Sequence, residues 1–269
     1  MAITSVNKKT SLGIYGTWKN AINWRERPEA TITIFGGMHG VLVILFASIL
    51  HYIKEPFTFA SHWVSNMGIG PNGSALMFNY GLIGSAIFMG TSILTLTYKM
   101  WIFKIKGVRT LIAIGAIAGL TAVTGIFMLT LNPMNGDIGL HATGAYMYFV
   151  CSITYFVLAT IAMRCAKIQS RKHTIMTIIL LILNLLNIPI QYCTIRFVLY
   201  PELPASELGF SHFMSILGSM DPRLGLVRIF EWIILVGFFV WVIGTGLMLA
   251  KIPTERYPFK IRNYYAHPL

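Results

Sequence analysis

The sequence predicts an all-α polytopic membrane protein, a bundle of six transmembrane helices with both termini in the cytoplasm. Three observations carry that expectation. Of the 269 residues, 55% are hydrophobic and only 11% charged, and the mean hydropathy is +0.67, whereas soluble domains carry roughly 25% charged residues. Apolar runs occupy residues 34–53, 76–98, 111–131, 140–163, 174–199 and 226–250, each long enough to cross a hydrocarbon core of about 30 Å. Finally, all 21 lysines and arginines except Lys54, Arg196, Arg223 and Arg228 precede the first run or fall in the second connector, the fourth connector or the tail. The positive-inside rule assigns those segments to the cytoplasm.

The division that follows is a cytoplasmic N-terminal segment (1–33), a six-helix transmembrane domain (34–250) and a cytoplasmic basic and aromatic tail (251–269). Because the net charge of +12 is spread over juxtamembrane segments and forms no single patch, it reads as topology and contact with anionic lipid. No nucleic-acid partner is expected. The first 33 residues lack the apolar centre of a cleavable signal peptide. Cys151, Cys165 and Cys193 are odd in number and show no ligand spacing, so neither a disulfide framework nor a cysteine metal site is expected.

Taken in order, Ile14, Trp18 and Ile22 recur at helical spacing and suggest a short surface helix in the N-terminal segment. Span 1 carries Gly36, Gly37 and Gly40 around His39, small residues that permit close helix approach. Loop 1 (54–74) opens with interfacial aromatics, Phe57, Phe59 and Trp63. Its Gly68, Gly70 and Gly73 fit G-x-G-x-x-G formally, but no strand precedes them and Pro71 sits inside. That excludes a dinucleotide fingerprint and predicts a tight turn into span 2. Asn72-Gly73-Ser74 is an N-glycosylation sequon.

Spans 2 and 3 read as packing helices, with small-xxx-small spacing at Gly81 and Ser85, Gly115 and Gly119, and Thr121 and Gly125. The short third loop ends at Asp137, placed to cap span 4, and His141 follows one turn later. Span 5 is the least lipid-like, since Asn184, Asn187, Gln191 and Thr194 fall on one helical face beside Pro189. Interhelical hydrogen bonding and a polar cavity wall are both open readings of that face. In loop 5, Phe213, Ile216, Leu217 and Met220 form an amphipathic helix pattern, and Asp221-Pro222 starts span 6. Arg228 and Glu231 follow, one helical neighbour pair apart.

The polar and titratable residues within the spans collect in their outer halves, so a site is expected to open on the outer leaflet. Depth matching places Ser65, Asn79, His141, Arg228 and Glu231 in one polar pocket beneath loop 1, with Arg228 facing the phosphate of a lipid headgroup. A second reading gathers His62, His141, His212 and Asp137 around zinc with an open position for water. Those residues share no local motif such as H-x-x-x-H, and no G-x-S-x-G elbow or phosphate loop is present.

Ser65-Asn66-Met67-Gly68, then Pro71, then Phe78-Asn79 resembles the loop-to-helix signature of the damage-regulated autophagy modulators and their six-span prokaryotic relatives. Gly125-Ile126-Phe127, Asn132-Pro133 and His141 are similar to the second block of that group. Asn66 departs from the acidic residue common there. The resemblance implies a multi-pass protein of the cell membrane, or of an endomembrane or plasma membrane, with no settled reaction.

The function expected is therefore a non-catalytic, lipid-contacting scaffold or regulator, or a subunit of a membrane assembly. Its partners would be membrane lipids and other membrane-protein subunits, and no cofactor is predicted. A zinc-dependent lipid hydrolase is the alternative, with zinc its only cofactor. A small-solute transporter, argued from span 5 alone, is the third class.

Overall fold

The computed structural model describes residues 27–102, 108–165, 169–202, 204 and 221–251. The surface helix expected around Trp18, the amphipathic helix expected around Ile216, His212 and the basic tail lie outside the described residues. Within them the chain is all helical, and six helices are long and apolar enough to cross a membrane. They are α1 (Pro28–Lys54), α2 (Ser74–Ile102), α3 (Arg109–Leu131), α4 (Ile138–Cys165), α5 (Arg171–Cys193) and α6 (Gly225–Lys251). This is an integral, multi-pass membrane architecture.

α1 starts earlier than the apolar run alone marks, because Pro28 at the first helical turn fits a position that needs no N–H donor, and Glu29 follows it. Its first turn is tied to the end of α6, where Arg27 Nη1 donates to the Leu249 carbonyl at 2.9 Å. Thus the chain returns, after six crossings, to the end of the bundle at which α1 began. α5 does not stop at Pro189. It continues to Cys193 and then widens into a π-helix over Thr194–Leu199, closed by the Tyr200 N–H donating to Ile195 O. A proline removes one ladder bond, and a widened turn follows one helical turn later.

The bundle closes through α1 against α2 and α6, α2 against α3, α3 against α4, and α5 against α6. Glycines set the tightest of these seams. A Cβ on Gly37 would lie 2.7 Å from the Phe239 carbonyl, and one on Gly40 would overlap the Phe239 ring. Between α3 and α4, a Cβ on Gly125 would lie 2.5 Å from Gly144 O and one on Gly144 would lie 2.7 Å from Gly125 O. Without a hydrophobic force between helices in lipid, such backbone approach supplies the dispersion contact that holds them. Large side chains then fill the centre: Phe156 meets Trp241 at 4.7 Å and Phe238 at 5.1 Å between ring centroids, edge-on or tilted. Outward, Phe35, Leu42, Phe46, Ile117, Ile179 and Leu185 are exposed, as a lipid-facing surface requires.

Candidate functional site: an amphipathic cavity under the first loop

Loop 1 is folded down onto the helix ends by its own polar residues. Asn66 Oδ1 accepts the Trp63 N–H at 2.8 Å and starts a 3₁₀ turn over Val64–Ile69. The following Pro71–Ser74 turn places Asn72 at φ 55° and Gly73 at φ 78°, and the Ser74 N–H closes it on Pro71 O at 3.0 Å. Two consecutive left-handed residues match the Asn-Gly preference of such turns. Gly73 has open space around it, so backbone conformation, not crowding, requires it there. The Asn72 amide also donates to Leu50 O at 3.0 Å, tying the turn to α1.

Long-range bonds then hold the loop to the bundle. Asn79 Nδ2 donates to Gly68 O at 2.9 Å, Trp232 Nε1 to His62 O at 2.8 Å, and Arg228 Nη1 to Ala60 O at 3.1 Å. The Val64 N–H reaches Glu231 Oε2 at 3.2 Å, and Ser65 Oγ lies 3.0 Å from Met134 Sδ. Arg228 is fully buried and its guanidinium stacks 5.3 Å from the Trp63 ring centroid. A charge at this depth is costly unless neighbours satisfy it, and loop 1 supplies those neighbours.

Beneath the 3₁₀ turn lies a partly open cavity of about 100 Å³. One wall is apolar, from Ala142, Phe149, Val150 and Ile153 of α4. The facing wall is the polar stripe Asn184, Asn187 and Gln191 of α5, while Trp63, Ser65, His141 and Glu231 lie at the loop end. A second, more apolar cavity of about 50 Å³ shares Ser65, His141, Ala145, Phe149 and Glu231 with the first. Its remaining wall comes from Phe78, Leu82, Ile126, Leu129, Leu235 and Phe239, among others.

Of the residues expected to share a pocket, Ser65, His141 and Glu231 line both cavities. Asn79 and Arg228 line neither; Asn79 Nδ2 and Arg228 Nη1 turn instead to loop carbonyls. The α5 stripe is the part of the site absent from the expected set. Its signal is the i, i+3, i+7 spacing of three carboxamides, which marks an inward face but not the partner opposite it. Asn184 and Asn187 are indeed buried.

The other histidines are placed elsewhere. His62 packs against His51 and Phe57, each at 5.0 Å between centroids, and its side chain meets Ser61 Oγ at 2.6 Å. Burial, and after it the neighbouring His51, hold His62 below the ordinary imidazole value. Asp137 caps α4, accepting the N–H groups of Gly139 and Leu140 at 2.9 and 3.0 Å. Among the described residues, no three His, Cys, Asp or Glu side chains gather in a metal-binding group, so His62, His141 and Asp137 do not converge. His39, near the other end of α1, is satisfied by Ser85 Oγ at 2.9 Å.

Fold and cavity define a polytopic helical membrane protein with an amphipathic chamber under its first loop. Compared with known proteins, the chain matches no family model, no curated protein and no solved structure.

Proposed function

We propose that this protein binds a membrane amphiphile in the chamber between α4 and α5 and acts without catalysis, as a lipid-contacting scaffold or regulator in the membrane. One observation carries the reading: a partly open chamber whose apolar α4 wall faces the carboxamide stripe of α5. Lipid chains alone do not call for carboxamides, and a purely polar solute does not call for an apolar wall. A molecule with both a polar end and a chain satisfies the two walls at once.

Purification of the full chain in a neutral maltoside detergent, followed by mass spectrometry of retained lipid, tests this. Wild-type protein is expected to keep about one amphiphile per chain through extensive washing. Replacing two stripe residues (N187L with Q191L) removes interhelical-type hydrogen bonds of about 0.6 kcal/mol each. Retention should then fall several-fold, on the order of 3- to 10-fold, at nearly unchanged melting temperature. Wild-type protein that retains no amphiphile above the annular background, or a double variant that retains as much, overturns the reading.

A further inference from the structure

The headgroup class follows from which polar atoms remain after the protein has made its own hydrogen bonds. His141 Nδ1 sits between two carbonyls, Leu129 O at 3.2 Å and Asn132 O at 2.8 Å. It must therefore carry the hydrogen, and Nε2 makes no hydrogen bond among the described residues. Asn184 directs Nδ2 to Leu180 O at 2.9 Å, so the carboxamide orientation is fixed. Its Oδ1 is buried without a hydrogen-bond partner, and the residue is only 3% exposed. Glu231 uses Oε2 to accept the Val64 N–H, and its second oxygen has no hydrogen bond among the described residues. Asn184 and Glu231, lining one chamber with His141, thus each offer an oxygen acceptor, and one of them is a carboxyl.

Among the described lining residues of the chamber there is no lysine and no arginine. Arg228, one turn before Glu231, interacts with it electrostatically but sends Nη1 to Ala60 O and stacks on the Trp63 ring, so it does not line the chamber. Acceptors buried without donors carry a desolvation cost. A phosphate, sulfate or carboxylate headgroup would add acceptors where they already lack donors. A headgroup rich in N–H donors would satisfy them, and a cationic one would also suit the carboxyl that lines the chamber.

We propose that the chamber selects an amphiphile whose polar end is an ammonium bearing N–H groups. The ammonium sits between Glu231, Asn184 and His141, and its hydrocarbon chain occupies the adjoining apolar cavity lined by Phe78, Leu82, Leu235 and Phe239. This inference rests on the amphiphile reading and goes beyond it by reversing the headgroup charge that an Arg228-centred pocket would prefer. Two sources share the chemistry, a free long-chain amine and the amino end of a larger phospholipid.

The test uses the full chain in maltoside at pH 7, with native mass spectrometry and thermal melting as readouts. The probes are dodecylamine, dodecanol, dodecyl phosphate and a lysophosphatidylethanolamine. Dodecylamine is expected to bind about tenfold more tightly than dodecanol, the size of one charge-assisted hydrogen bond, and dodecyl phosphate more weakly than either. E231Q keeps an acceptor for the Val64 N–H and should abolish the amine advantage while dodecanol binding stays. Lysophosphatidylethanolamine matching dodecylamine assigns the phospholipid source, and its failure to bind assigns the free amine. Dodecyl phosphate binding as well as the amine, or E231Q retaining the full amine advantage, overturns the ammonium proposal and leaves amphiphile binding intact. Failure of every probe overturns both. Should E231Q not fold, the wild-type ranking of amine against phosphate decides alone.

Discussion

The two faces of α4 are built in opposite ways. Toward α3 it presents Gly144, whose missing side chain lets the Gly125 backbone come close enough that a Cβ on either would strike the other's carbonyl. Toward α5 it presents Ala142, Tyr146, Phe149, Val150 and Ile153 across open space from Asn184, Asn187 and Gln191. The comparison teaches how a membrane bundle makes a chamber. Small residues on both helices close a seam, whereas bulky apolar residues facing carboxamides have no complementary surface and leave one open. Loop 1 then covers the opening and contributes Trp63 and Ser65 to it.

Adjacent residues of α4 put that contrast to its strongest test. Gly144→Val forces atoms into the α3 backbone, where nothing flexible can yield, and should cost about 3 kcal/mol or more. The expected outcome is loss of monodisperse protein on size-exclusion chromatography. Ala145→Leu, one position on and lining both cavities, should leave the protein folded and instead displace the bound amphiphile. If the two variants behave alike, the seams are not built oppositely.

A smaller effect is expected where the loop meets the bundle. Arg228→Met keeps the stem volume but removes the donor to Ala60 O and the cation over Trp63. Loss of the bond to the Ala60 carbonyl and of the ring contact should together cost about 1–3 kcal/mol. That change is checked by thermal melting and by faster proteolysis between residues 55 and 62. Unchanged cleavage would show that the loop is held by its other bonds alone.

The smallest expected effect is a pH dependence at His62. Its folded value lies below the ordinary imidazole one, first through burial, then through His51 beside it and, to a lesser extent, Arg228, against opposing contributions from Thr58 and Glu55. A depressed folded value favours the neutral ring in the native state. Its contribution is therefore full above the unfolded value of about 6.5 and is lost as pH falls through and below it. Melting temperature should drop from pH 7.5 to pH 5.5, and His62→Gln should flatten part of that slope.

Much of the architecture was already determined by composition and spacing. Six apolar runs dictate six helices because a backbone in hydrocarbon must satisfy its own hydrogen bonds. Asp137 marks where α4 starts and Asn72-Gly73 the turn into α2, whereas α1 begins at Pro28, ahead of the apolar run that marked it. The carboxamide spacing on span 5 marks an inward face. What only the tertiary structure decided is which inward faces meet. Depth along a helix can be counted from sequence at 1.5 Å per residue, but the azimuth of each helix depends on packing against its neighbours. Asn79 and Arg228, placed in the pocket by that counting, instead turn Nδ2 and Nη1 to the carbonyls of Gly68 and Ala60. Ser65, His141 and Glu231 meet the α5 stripe instead, because loop 1 folds over the bundle through bonds to residues up to 170 positions away. Contacts at that separation leave no periodic trace in the chain, so the sequence names the members of the chamber only once the bundle has brought them together.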